Sequence, residues 1–229
     1  MQSGNGKERP TSLDYFRADG PYSKLFIKEL GPTPRVLPIL FLSDNVQECC
    51  YERYELRKGS KLYARGDGEN FEVWNPQAEE YVPLTKTQEP GLGKRLAIEA
   101  GENGKPADWQ TILTLRFLIL PLKSVWGCWS FSTKGEASSI PAIIAAFDSV
   151  KNIAKTVVGV PFDLTVEMVK SQKPGSESRF PVVKLVPNVG ETHLQMLGEL
   201  KEQGKVFHKV LTAETIEKEV AALPAPGET

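Results

Sequence analysis

Two apolar periods that meet near residue 138 constrain this chain more than any other feature. Over Thr111–Leu120 the residues alternate, with Leu113, Leu115, Phe117 and Ile119 on one side and Arg116 on the other. A period of two belongs to a half-buried strand. From Ile140 the period lengthens: Ile140, Ile143, Ile144, Phe147, Val150 and Ala154 follow the i, i+3, i+4 spacing of an amphipathic helix. Ser138-Ser139 can cap that helix, Pro141 suits its first turn, and Gly159 can end it. Each stripe needs an apolar partner to escape water, and the two are complementary.

The flanks extend the pattern. Val125–Thr133 reads as a second strand, with Val125, Trp129 and Phe131 on one face and Trp126, Cys128 and Ser130 on the other. Val160–Lys170 and Arg179–Val186 read as two more, joined by a polar loop containing Pro174-Gly175. Strand, strand, helix, strand, strand predicts an α+β fold in which antiparallel β-sheets pack on one helix. Residues 111–187 are expected to form this α+β core unit.

The other segments are less periodic. Residues 1–12 are polar and predict a flexible lead-in. Residues 13–74 predict a β-rich N-terminal part, opened by one or two helical turns within Pro21–Leu30. Arg35–Leu42 reads as a strand whose proline implies an edge position. Tyr51–Arg57, Lys61–Ala64 and Phe71–Trp74 read as a small antiparallel meander. Residues 75–110 predict an irregular insertion with a short strand at Glu80–Leu84. Residues 188–229 predict C-terminal helices, Glu191–Gln203 and Glu214–Leu223, and a tail.

Composition excludes several function classes. The formal net charge is -1, so no uniformly basic coat exists, although a local basic face is allowed. No window reaches the roughly 20 apolar residues of a membrane helix, and the first ten residues have no apolar signal core. The chain is therefore expected to remain in the cytoplasm. Only two histidines occur, His193 and His208, and no HExxH, GxSxG, P-loop or GxGxxG arrangement is found. Gly91-Leu92-Gly93-Lys94-Arg95 reads as a flexible basic turn, lacking the strand and Lys-Ser/Thr pair of a phosphate loop. No catalytic set, and hence no enzyme, is predicted.

Of three cysteines, two read as half-buried and one as core. Cys49 and Cys50 are adjacent, so on a strand they point to opposite faces, and the C-x₂₋₄-C spacing of a zinc site is absent. No metal and no other cofactor is expected.

Charge is unevenly spread. Between Lys105 and Lys184 ten Lys and Arg face six Asp and Glu, whereas from Glu191 onward four Lys face seven Glu. The 170–184 hairpin carries Lys170, Lys173, Arg179 and Lys184 against Glu177 alone. A basic arm beside Trp126 and Trp129 is one way to hold nucleic acid, by phosphate neutralisation and base stacking. For both tryptophans a place in the core is the competing reading.

Three stretches together resemble the phage recombination directionality factor family, accessory proteins of large serine integrases. They are Arg9-Pro-Thr-Ser-Leu-Asp-Tyr-Phe-Arg17, then Leu115–Pro121 with Val125–Gly135, and finally Gly159–Leu164 through Phe180–Leu185. Members often carry a cysteine cluster between the two halves, but residues 75–110 contain no cysteine. The resemblance implies a protein that binds a recombinase and changes which DNA sites it pairs. The alternative is a single-stranded DNA-binding or recombination-mediator protein. For either partner, serine integrase or single-stranded DNA, the candidate contact residues are Trp126, Lys134, Lys170, Lys173, Arg179 and Lys184. No membrane partner is expected, and homo-oligomerisation is left open. Elemental analysis is expected to find no stoichiometric zinc, and EDTA to leave the melting curve unchanged. One zinc per chain would restore the metal reading.

Overall fold

A computed structural model describes residues 13–122, 125, 127–172, 175, 177–205 and 211–222. In chain order the elements are α1 (Ser23–Leu30), β1 (Val36–Leu40), α2 (Val46–Cys49), β2 (Cys50–Lys58), β3 (Lys61–Gly66), β4 (Asn70–Asn75) and β5 (Glu80–Thr85). There follow α3 (Leu92–Ala100), β6 (Gln110–Ile119), a 3-10 turn (Leu120–Leu122), β7 (Trp129–Thr133) and α4 (Ser139–Ala154). β8 (Pro161–Lys170), β9 (Arg179–Pro187), α5 (Glu191–Glu202) and α6 (Ala213–Ala221) complete the order. The fold is α+β, with an antiparallel nine-stranded sheet ordered β5-β4-β3-β2-β6-β1-β8-β9 and β7 also paired to β6.

β6 is the shared strand. β2 pairs with residues 110–115, β7 with 113–117, and β1 with 118 and 119. The expected apolar face is present: Leu113, Leu115, Phe117 and Ile119 are all buried. They join Ile39, Phe162 and Leu164 in one core, which α4 covers with Ile140, Ile143, Phe147 and Val150. Phe147 meets Phe41 edge-to-face at 5.1 Å, and Phe41 meets Phe162 at 5.3 Å. Aromatic edges and faces attract in this geometry. α5 packs behind α4 through Gly198, where a Cβ would sit 2.4 Å from the Ile153 carbonyl oxygen.

Residues 111–187 do not build this sheet alone, because β1 joins β6 to β8. The edge position predicted for β1 is therefore wrong, and the reason lies in Pro38. Arg35 O accepts from Val166 N, so by alternation residues 35, 37 and 39 turn toward β8 and Pro38 turns away. On that side the register would bring Leu120, where β6 has already ended in the 3-10 turn. The missing donor is required by no neighbour.

The same device blunts the two ends of the path from β5 to β9. Along β9 the Ser171 N–H to Ser178 O bond fixes an alternation that turns Pro181 and Pro187 outward. Between them the outward N–H of Val183 donates to Ser139 Oγ at 2.9 Å. At the other end the Lys86 N–H to Glu69 O bond turns Pro83 of β5 outward. Prolines on outward positions discourage strand addition.

Two further readings change. The 75–110 stretch holds β5 and α3, and α3 buries Leu92, Leu96 and Ala100 against Leu56, Ala64, Phe71 and Val73 in a second core. Three apolar positions flanked by glycines make too thin a stripe to read from sequence. Gly91-Leu92-Gly93-Lys94-Arg95 is accordingly the start of this helix, with Arg95 held by Glu89 and Glu99. Likewise α4 ends before Gly159, with Lys155 at φ 57. Asp44 ends it: its carboxylate accepts from Thr156 Oγ1 and, at 2.7 Å, from Val157 N, while its carbonyl accepts from Lys151 Nζ.

Phe147 is 1% exposed and central to the larger core. Phe147→Ala should therefore cost about 3–5 kcal/mol in urea melts. A loss below about 0.5 kcal/mol would mean that this helix face is not packed.

Candidate interaction surface

A strand shows alternate residues to opposite faces, so the register assigns every sheet residue to a face. The buried face takes Leu56, Phe71, Val73, Leu113, Leu115 and Phe117, and the helices of both cores pack there. Among the described residues no helix is placed against the other face, although Glu55, Ile112 and Thr114 on it are buried. One cross-strand row on it runs Gln110, Glu55, Arg65, Glu72, Pro83 from β6 to β5. Beside it Arg53 pairs Ile112, Tyr51 pairs Thr114, and Arg116 pairs Ser130.

Electrostatics organise this half of the open face. Glu55 is buried, and its carboxylate accepts from Arg53 Nη2 at 2.6 Å and Arg57 Nη2 at 3.3 Å. A buried carboxylate needs such partners. Arg65 donates to Glu72 at 2.5 Å and its guanidinium lies 4.9 Å from the centre of the Tyr81 ring. Tyr81 in turn meets Trp74 at 5.3 Å. Arg116 lies 5.4 Å from the Tyr51 ring centre. Arg53 Nε is buried with no hydrogen-bond partner, and Arg53 and Arg65 line a cavity of about 580 Å3 with Asn70, Glu72 and Thr85.

The other half, on β1, β8 and β9, has different chemistry. By register Val36, Asp163, Thr165, Glu167, Phe180, Lys184 and Val186 share the open face there. Val36, Phe180 and Val186 are 46%, 38% and 45% exposed. Lys184 is ion-paired with Glu167. Burial holds the Asp163 carboxyl above the ordinary aspartate range.

The structure divides the candidate residues. Lys134 and Lys184 lie toward the open face, and Lys134 donates to Gln110 Oε1 at 2.8 Å. Lys170 and Arg179 pair with each other at the end of the β8–β9 hairpin, in register with the opposite face, and Lys170 binds Glu177 at 2.9 Å. Trp126 and Lys173 lie outside the described residues. Trp129 takes its core reading, tilted against Phe26 at 5.8 Å and packed on the main core. The arginines of the open face were not singled out from the sequence. Their signal was present in Tyr51-Glu52-Arg53-Tyr54-Glu55-Leu56-Arg57, where cations and tyrosine recur at alternate positions.

Fold and surface together define an α+β protein built on one sheet, covered on one face and open on the other. The chain belongs to the Gp3-like, recombination directionality factor-like family, whose model matches residues 1–188. That family places it among accessory factors of phage recombination. Neither a curated protein nor a solved structure gives a significant match.

Cysteine positions also differ from expectation: Cys49 and Cys50 are buried and Cys128 is exposed. The α2 turn folds both adjacent thiols inward, and Cys128 precedes β7. Burial pushes the Cys49 thiol up to about 11 and the Cys50 thiol up to about 12. Thiolate is the reactive form, so at pH 8 one thiol should react rapidly with a disulfide reagent and all three after unfolding. Rapid reaction of three thiols in the folded protein would contradict this packing.

Proposed function

We propose that this chain is a phage-type recombination accessory that binds a serine integrase and alters which DNA sites the integrase pairs, making or breaking no bond itself. The observation that carries the reading is the family match, which spans residues 1–188 and ends one residue after β9. The sheet and α1–α4 are therefore the part shared with the family, and α5 and α6 lie beyond it.

The integrase contact is assigned to the β8–β9 hairpin and the open face beside it. Phe180 is exposed next to Arg179, and Val36 and Val186 add apolar surface on the same sheet. Aromatic and arginine side chains are enriched at protein interfaces and dominate their binding energy. With proline at outward positions of β5 and β9, a partner at those edges is better met by side chains than by strand addition.

The double variant Arg179→Ala, Phe180→Ala should weaken association with the cognate integrase about tenfold or more, equivalent to about 1.4 kcal/mol. It should also lose its effect on site choice in an in vitro recombination assay, while circular dichroism stays that of the parent. Unchanged association together with unchanged site choice would refute this assignment.

A further inference from the structure

We infer that the open face of β2 to β6 is a binding surface for single-stranded DNA, held by Arg53, Arg57, Arg65 and Arg116. This goes beyond the integrase reading and uses the other half of the sheet.

Charge is the first argument. The chain carries a net charge of -1, yet this face sets four guanidinium groups against two carboxylates, Glu55 and Glu72. Glu55 is sunk beneath Arg53 and Arg57, so it fixes their positions while presenting little charge to solvent. The β1–β8–β9 half shows no such excess, since Lys184 there faces Asp163 and Glu167. The positive excess on the open face of a slightly acidic chain thus lies in one patch. A polyanion is drawn to such a patch by release of its counterions.

The planar groups supply the second argument. Arg65 rests on Tyr81, Arg116 rests on Tyr51, and Trp74 buttresses Tyr81. A guanidinium held beside a ring is a planar cation on which a base can stack. An open sheet carrying stacked planes and cations suits unpaired bases. It does not suit a duplex, whose base faces are hidden and whose major groove admits a helix or narrow ribbon rather than a broad sheet.

The third argument is an unfilled donor. Arg53 Nε is buried without an acceptor, and the Arg53 side chain lines a cavity together with Arg65, Asn70 and Thr85. Buried donors are normally satisfied. A phosphate in that cavity would lie beside the Arg53 guanidinium, whose Nη2 is held by Glu55.

The test uses the full chain and a fluorescein-labelled 30-nucleotide single strand, followed by anisotropy at several salt concentrations. Arg65 and Arg116 are the residues to change, because neither is tied to buried Glu55. Arg65→Ala, Arg116→Ala should weaken binding at least tenfold and flatten the salt slope by about 0.7 for each phosphate that is no longer neutralised. Arg65→Lys, Arg116→Lys keeps the charge and removes the planes, so it should fall between the two. Lys24→Ala, Lys28→Ala on α1 removes equal charge elsewhere and should bind like the parent. Melting curves establish that each variant is folded. Any of four results would overturn the inference: no binding by the parent, full binding by the alanine variant, equal affinity for duplex of the same sequence, or weakened integrase association as the alanine variant's only defect.

Discussion

β6 is the strand against which the rest of the sheet is registered, and its two-sidedness is the constraint on which the structure depends. Leu113, Leu115 and Phe117 turn into the core while Arg116 turns to the open face. A slip of one residue would bury the guanidinium and expose three large apolar side chains. β2, β7 and β1 all pair with this strand, so each inherits its facing. The two cores and the uncovered face are consequences of that single alternation. α4 then seals the larger core, and its end is set by Asp44, which takes the Thr156 hydroxyl and the Val157 N–H.

The β5 and β9 edges of this sheet could recruit foreign strands. Proline at outward positions of β5 and β9, and the Ser139 hydroxyl on Val183, remove several of the donors that such pairing needs. The proposed recognition surfaces are accordingly the sheet face and the hairpin end. Side chains rather than backbone therefore decide what binds.

The open face is divided chemically along the boundary between β6 and β1. On one side arginine and tyrosine are locked together by a buried carboxylate and ring contacts, so the cations are pre-positioned. On the other side valine and phenylalanine are exposed beside a Lys184–Glu167 pair. The proposed integrase contact falls on the apolar half and the inferred single-stranded DNA surface on the arginine half.

Local periodicity was enough to reveal the strands of the second half, the α4 helix and its buried face, since Leu113 to Ile119 and Ile140 to Ala154 each carry many apolar positions in one period. It also exposed the meander of residues 51–74, whereas the family likeness was carried by the stretches 9–17, 115–135 and 159–185. Three things required the tertiary structure. α3 has only Leu92, Leu96 and Ala100 to mark it, a stripe that becomes decisive only when Phe71 and Val73 lie beneath it. Pro38 signals an edge in any isolated strand, and only the early end of β6 makes a central place harmless. The arginine surface joins residues 53, 57, 65 and 116, which are separated along the chain and gathered by pairing across β2, β3 and β6. Periodicity is a property of neighbours in sequence, whereas a binding face is a property of neighbours across strands, and register alone converts one into the other.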